Sequence, residues 1–409
     1  MPQTTEPTPG AFSREPRVLL EDLTSGLLWP KLLRAAGLSL RPERLVMGTA
    51  AWIVILAIGS LNELWSDKPG FIGVVVDAKL RALAQLWEAI LSGNPQFLAA
   101  TMAELAALPG RLLDQYPISF FLLGIPIIVV WVLFGGAISR SAAVEFSSGR
   151  VIGWERAAGL AVRKWLSLLG AVLAPLAIVV AIAVALAIGG LLFAVPFVHL
   201  APAALYFIAL ILGAIAVVVL VLWSVARPML VPGVACEGTD ALDAIQRAFA
   251  YVFARPGRLV LYMLILALQG LIVIGLFSVI VSSITAFTAA STGAFIGDKP
   301  REIIVGGSAG GEPMTFDELI EQTREQAERA GDDAGTDDAV ADENAPAKPL
   351  VTRKWARWLV SLWTGALELL VGGLMISFYF TAGTVLYLVM RQLCDGQDVA
   401  ELWTPSGES

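Results

Sequence analysis

The chain has 409 residues, and 57% of them are hydrophobic before any of its 38 glycines are counted, against about 45–50% with glycine included in a soluble domain. Only 15% are charged, the formal net charge is −7, and there are two cysteines. These values exclude a soluble enzyme fold, a disulfide framework and a basic nucleic-acid binder, and they point to an all-α integral membrane protein.

Residues 1–43 begin with a Pro- and Thr-rich stretch expected to be disordered. An amphipathic segment follows, with Leu20, Leu23, Leu27, Leu28, Leu32 and Leu33 at helical spacing, which predicts a helix lying on the membrane surface. A five-span bundle is expected over 44–291. Its spans run from about Leu45 to Leu64, Ile118 to Ile138, Trp165 to Ala194, Ala203 to Ala226 and Leu259 to Phe287. Each reaches the roughly 20 apolar residues that cross a bilayer as helix. Between the first two spans lies an outer helical insertion at 66–117, carrying patterns such as "AKLRALAQLWEAIL".

Residues 292–350 read as an acidic, largely flexible outer loop. Between Asp298 and Lys348 there are fourteen acids and five bases, a local net charge of −9, which leaves about +2 for the rest of the chain. Within it, Thr315 and Glu318 have capping-box spacing. Residues 351–409 are expected to hold an interfacial Trp/Arg helix, the sixth span (about Leu367 to Met390) and a cytoplasmic tail. Trp355, Arg357 and Trp358 are its lipid-interface anchors, suited to headgroup contact.

Basic residues near span ends set the expected orientation. Arg41 and Arg44 precede the first span, Arg140 to Lys164 hold five cations between the second and third, and Arg227, Arg247, Arg255 and Arg258 separate the fourth and fifth. The positive-inside rule then puts both termini in the cytoplasm of a cell whose inner membrane holds the protein. Arg353, Lys354 and Arg357 run against this scheme.

An internal repeat is visible. "LRPERLVMG", "VRKWLSLLG", "ARPGRLVLY" and "TRKWARWLV" open or precede spans, and short amphipathic helices "WERAAGLAV" and "ALDAIQRAFAYVF" lie before two of them. The architecture expected is therefore about six transmembrane helices forming three hairpins joined by amphipathic cytoplasmic elbow helices. Both cysteines fall in twin segments, "VACEGTDALD" and "QLCDGQDVAEL". One reading makes these a bipartite metal site. However, no histidine or Cys-x-x-Cys pair accompanies them, and zinc needs such ligands. The structural reading makes Asp240 with Asp243, and Asp398 with Glu401, elbow-helix caps, with Gly238 and Gly396 turning the chain.

Four polar positions are functional candidates: Glu63 and Glu368 near outer span ends, Gln269 in the fifth span, and His199 in the connection "VPFVHLAPA". The two glutamates could bind a cation or relay a proton, or simply be solvated. A single intramembrane Gln raises a functional hypothesis but also suits a bond to a neighbouring helix. A lone histidine has no triad partners in view. No phosphate-binding loop, nucleophile elbow or zinc-protease motif occurs, and no cofactor is expected.

At "RPMLVPGVACEGTDALDAIQRAFAYVFARPGRLVLY" the chain resembles a broad group of bacterial multi-pass membrane proteins related to the membrane domain of some glycerophosphodiester phosphodiesterases. Pro232, Glu237, Gly238, Ala244, Arg247 and Arg258 carry the resemblance. It implies a helical membrane module, and with no phosphodiesterase domain in the chain it implies no such activity. The function expected is a non-enzymatic scaffold or accessory subunit in envelope or lipid-related processes. Its partners would be the lipid bilayer and proteins meeting the acidic outer loop. A transporter or permease subunit and a lipid-modifying membrane enzyme are the alternatives.

Overall fold

The computed structural model describes residues 28–66, 70–92, 96, 110–191, 203, 206–293, 351–399 and 401–403. Among these there is no strand, as expected when backbone polar groups must be satisfied inside each apolar segment. Six helices are long and apolar enough to cross a membrane.

Two short helices, α1 (Trp29–Leu32) and α2 (Arg34–Ser39), precede the first span, α3 (Pro42–Ser60), which ends in a 3-10 turn at Leu61–Leu64. Helix α4 (Phe71–Ser92) follows. The second span is the short α5 (Pro117–Leu122) continued by α6 (Gly124–Ser148). A ten-residue helix, α7 (Trp154–Arg163), leads to the third span, α8 (Trp165–Leu191), and the fourth is α9 (Tyr206–Glu237). Helix α10 (Ala241–Ala254) leads to the fifth, α11 (Pro256–Gly293), and the sixth belongs to α12 (Val351–Asp395). The anchor helix and span expected separately over 351–390 thus form one helix of 45 residues. Nothing in "VTRKWARWLVSLWTGALELLVGG" breaks it, because it holds no proline and its glycines lie within strong helix formers.

Helix α12 is the hub of the bundle, packing against α3, α6, α9 and α11 and also against α1, α2 and α10. In its most apolar stretch 72% of residues are buried, against 6% in α9. Small residues make this possible. A Cβ on Gly373 would meet the backbone of Thr49, one on Gly372 the Trp52 indole, and one on Gly383 the Pro228 carbonyl. In the other direction, Phe380 lies against Gly135 of α6 and Phe378 against Gly270 of α11. Without a hydrophobic driving force between helices in lipid, such close approach is what holds them together.

Of the segment expected to lie on the membrane surface, the described part from residue 28 to 39 runs alongside α12. Lys31 Nζ donates to Gln392 Oε1 at 2.8 Å, and Ser377 Oγ donates to the Ser39 carbonyl at 2.8 Å. Ser377 and Gln392 are about 22 Å apart along a helix rising 1.5 Å per residue. Leu32, Ala35, Leu38 and Ser39 are buried accordingly. We call the end of the bundle where Lys31 meets Gln392 the basal end, and the opposite end apical. The apical ends of α3 and α5 are joined by Ser119, whose hydroxyl donates to Asn62 Oδ1 at 2.5 Å and accepts from Trp65 Nε1 at 3.0 Å.

Candidate functional site

Three helices finish at the basal end, and each is followed by a glycine with positive φ: Gly149 after α6, Gly238 after α9 and Gly396 after α12. Such a backbone is open to glycine and costly for other residues, and it ends a helix by turning the chain sharply away. In each case an acid stands at or near the end of the helix: Glu145, Glu237 and Asp395. A carboxylate there faces the negative end of the helix dipole. Its position therefore requires cations or donors from neighbouring elements.

Those partners are present. Glu145 is buried and accepts from Arg41 Nε at 2.8 Å and from Arg44 Nη2. Glu237 accepts from Arg391 Nη1 at 2.5 Å and from the Tyr387 hydroxyl at 3.3 Å, with Arg247 at 3.8 Å. Asp395 accepts from the Tyr251 hydroxyl at 2.5 Å. Arg391, 1% exposed, also donates from Nη2 to the main-chain carbonyls of Asp398 (3.0 Å) and Glu401 (2.6 Å). One arginine thereby fixes the C-terminal segment beneath the bundle. The Trp403 N–H completes the attachment by donating to the Cys236 carbonyl at 3.3 Å, and its indole fills the space that a Cβ on Gly238 would need.

The twin segments of the sequence therefore meet in space. Cys236 is fully buried and Cys394 is half-buried, and both are free thiols. Asp240 occupies the N-cap of α10 with extended backbone, but its side chain makes no cap hydrogen bond and lies 3.8 Å from Lys164 Nζ. Asp243, in the first turn, pairs with Arg247 at 3.3 Å. Asp398 and Glu401 lie in an irregular segment, joined by a turn bond from the Glu401 N–H to the Asp398 carbonyl, and offer their carbonyls to Arg391.

The other candidates do not converge. Glu63 is in the 3-10 turn after α3 and Glu368 is on α12; both are exposed, and no hydrogen bond or ion pair joins them. Gln269 donates from Nε2 to the Leu33 carbonyl at 2.6 Å, at the break between α1 and α2, and its buried Oε1 has no partner. It fastens a neighbouring segment. Trp355 and Trp358 pack edge to face, 6.0 Å apart, with Arg357 exposed. His199, residues 1–27 and 294–350, and most of the insertion beyond Ser92 lie outside the described residues.

The chemistry available at the basal end is fastening. Burial, and then the bond to Asp395, raise the Tyr251 phenol well above its ordinary value, so it is a hydrogen-bond donor at neutral pH. Partial burial opposes the charge of Arg247, but its bond to Asp243 and the nearby acids outweigh this and raise it. Among the described residues no three His, Cys, Asp or Glu side chains are grouped to hold a metal. In the sequence Arg44 counts only as a marker of orientation, and neither Glu145 nor Arg391 stands out. The available signal was an acid or arginine within a few residues of the end of a long apolar run, where only a partner from another segment can justify it.

No family model, no curated protein and no solved structure matches the chain.

Proposed function

We propose that the protein is a non-enzymatic multi-pass protein of the cell inner membrane, acting as a scaffold or accessory subunit in envelope or lipid-related processes. One observation carries this reading: Glu145 with Arg41 and Arg44, and Glu237 with Arg391, are tied together at one end of the bundle, while the centre is filled by glycine and aromatic contacts around α12. A transporter gathers its polar groups near the midplane, on helices broken for the purpose. A lipid-modifying enzyme needs a nucleophile or base free to act, and Glu145, Glu237 and Asp395 are each engaged with a cation or a phenol.

In this reading the basal end, with both termini, faces the cytoplasm. The exposed cations Arg150, Arg156, Arg163, Arg255 and Arg258 in the connections around α7 and α10 favour that orientation. The six spans form three hairpins, with α7 and α10 as elbow helices between them. The resemblance to the membrane domain of some glycerophosphodiester phosphodiesterases fits a module of this kind. Protein partners would meet the acidic 292–350 loop on the opposite side.

The test is gentle extraction of the full chain, and of a version lacking 332–347, followed by mass spectrometry of co-purifying proteins. A stoichiometric partner should be recovered with the full chain and lost with the deletion, while Cys236 stays protected from maleimide. Saturable ion-dependent uptake in proteoliposomes, abolished by Glu63→Gln and unaccompanied by any partner, would overturn the proposal.

A further inference from the structure

Helix α9 contains one charge that the basal network does not use. From Tyr206 to Ala226 its sequence carries no charged residue, a length of about 30 Å that matches the hydrocarbon thickness of a bilayer. Arg227 comes next and is exposed. It therefore lies where hydrocarbon meets the headgroups, in the leaflet at the basal end.

Its surroundings are built from four spans. The guanidinium carbon is 5.5 Å from the centre of the Trp223 ring, one turn earlier on α9. Trp223 is held in place by donating from Nε1 to the Val172 carbonyl of α8 at 3.0 Å. On the other side, Tyr379 of α12 lies near the guanidinium. The Tyr379 ring packs in turn against Trp131 of α6, with centroids 5.5 Å apart. The two α9 side chains are further ordered by the packing beside them, where the Pro228 carbonyl closes on Gly383.

No carboxylate pairs with Arg227 among the described residues, although Arg41, Arg44, Arg247 and Arg391 all have one. An arginine at this depth retains its charge and seeks an anion. Its planar fork matches a phosphate with two parallel hydrogen bonds. The tryptophan beneath it favours a cation over its face, so the guanidinium is already oriented before any ligand arrives. A zwitterionic headgroup would bring its own cation beside the arginine, whereas a headgroup of net charge −1 neutralises it.

We propose that Arg227, oriented by Trp223, is a binding site for the phosphate of an anionic phospholipid in the leaflet at the basal end. The acyl chains run from there along the face of α9 that carries Arg227, past the exposed Leu220 two turns earlier. The tryptophan is the positioning group. This site does not depend on the scaffold reading.

The experiment uses the purified, delipidated full-length protein in detergent, titrated with phosphatidylglycerol or phosphatidylcholine and read by native mass spectrometry. The wild type should retain one phosphatidylglycerol in preference to phosphatidylcholine. Arg227→Gln should reduce that retention about tenfold, the effect of one charge-assisted bidentate contact. Arg258→Gln, which removes an exposed cation near the start of α11, should leave it unchanged. Arg227→Lys keeps the charge and loses the fork, so its retention should fall between, and it serves if the glutamine variant does not fold. Equal retention by wild type and both Arg227 variants would overturn the proposal, as would an equal loss with Arg258→Gln, which would mean a diffuse basic belt. Displacement of the lipid by millimolar inorganic phosphate would show a free-anion site and overturn the lipid assignment.

Discussion

The basal and apical halves of the bundle are built from similar apolar helices yet are held together differently. In α9 the eight residues Met229–Cys236 are all buried against α12, α10 and α6, whereas from Tyr206 to Val221 none is buried. The same division runs through α8, where Leu168, Ala171 and Pro175 are buried and Ile178, Val180, Val184 and Ile188 are exposed. The difference teaches that hydropathy alone does not assemble these helices. Where small residues permit contact and charges demand partners, the helices converge. Towards the apical ends even Gly189, Gly190 and Gly213 have no neighbour within 4 Å of a Cβ position, and contact with lipid serves equally well.

The sharpest way to break this contrast is at Arg391. Arg391→Ala leaves Glu237 without its closest cation and frees the C-terminal segment, and removal of one partner from a buried pair costs about 3–5 kcal/mol. Denaturant or thermal unfolding in detergent should show it as the largest loss of the set. Next comes Gly373→Leu. It forces α12 away from Thr49 and should cost about 1–3 kcal/mol as overpacking, read by the same unfolding curves and by loss of α3–α12 disulfide cross-linking between engineered cysteines.

A smaller effect belongs to Tyr251→Phe, which removes one hydrogen bond worth about 1 kcal/mol, and its pH dependence is specific. A phenol raised in the folded state contributes stability that is fully present below its unfolded value of about 10 and is lost as pH rises above that value. The wild type should therefore lose stability above pH ~10 more steeply than Tyr251→Phe. Parallel slopes for the two proteins would count against the Tyr251–Asp395 contact.

Thiol accessibility sharpens the contrast without altering stability. Cys394 should react with a membrane-permeant maleimide while Cys236 stays protected until the C-terminal segment is released, for instance by Trp403→Ala. The smallest effect is expected in the apical half. Val184→Ala or Ile188→Ala should change stability by no more than about 0.5 kcal/mol, the usual range for exposed positions away from special features.

Much of this architecture is legible in the sequence. Six apolar runs of membrane length give six long helices, the amphipathic stretches around Trp154 and Ala241 give α7 and α10, and Gly238 and Gly396 turn the chain with positive φ. The central place of α12 is harder to read because hydropathy ranks lipid exposure. Its most apolar stretch has the lowest mean hydropathy of the six, owing to Ser377, Thr381 and Thr384, and it is also the most buried. In a membrane protein a less hydrophobic span marks an interior one, since small and hydroxyl-bearing side chains pack against helices. The basal network was hidden for a related reason. "CEG" and "CDG" look like helix beginnings locally, and only long-range contacts show that Glu237 and Asp395 serve the helices that end there. Arg227 was legible as a marker of orientation, and Trp223 four residues earlier as its neighbour on the same helix face, but the bond that fixes Trp223 comes from Val172 on another helix.

The position of α12 has a consequence for how the protein is made. The ribosome delivers the chain from its N-terminus, so the segment that fills the centre emerges after the five other long apolar helices. Until then the glycine faces at Gly48, Gly135 and Gly270 have no occupant and Glu237 has no Arg391. Five helices must enter the bilayer first, loosely associated and solvated by lipid, and insertion of the sixth closes them around itself. Trp403, eight residues beyond the end of α12, then closes over Cys236 and Gly238. A nascent chain stalled anywhere before residue 391 should expose Cys236 to a thiol reagent.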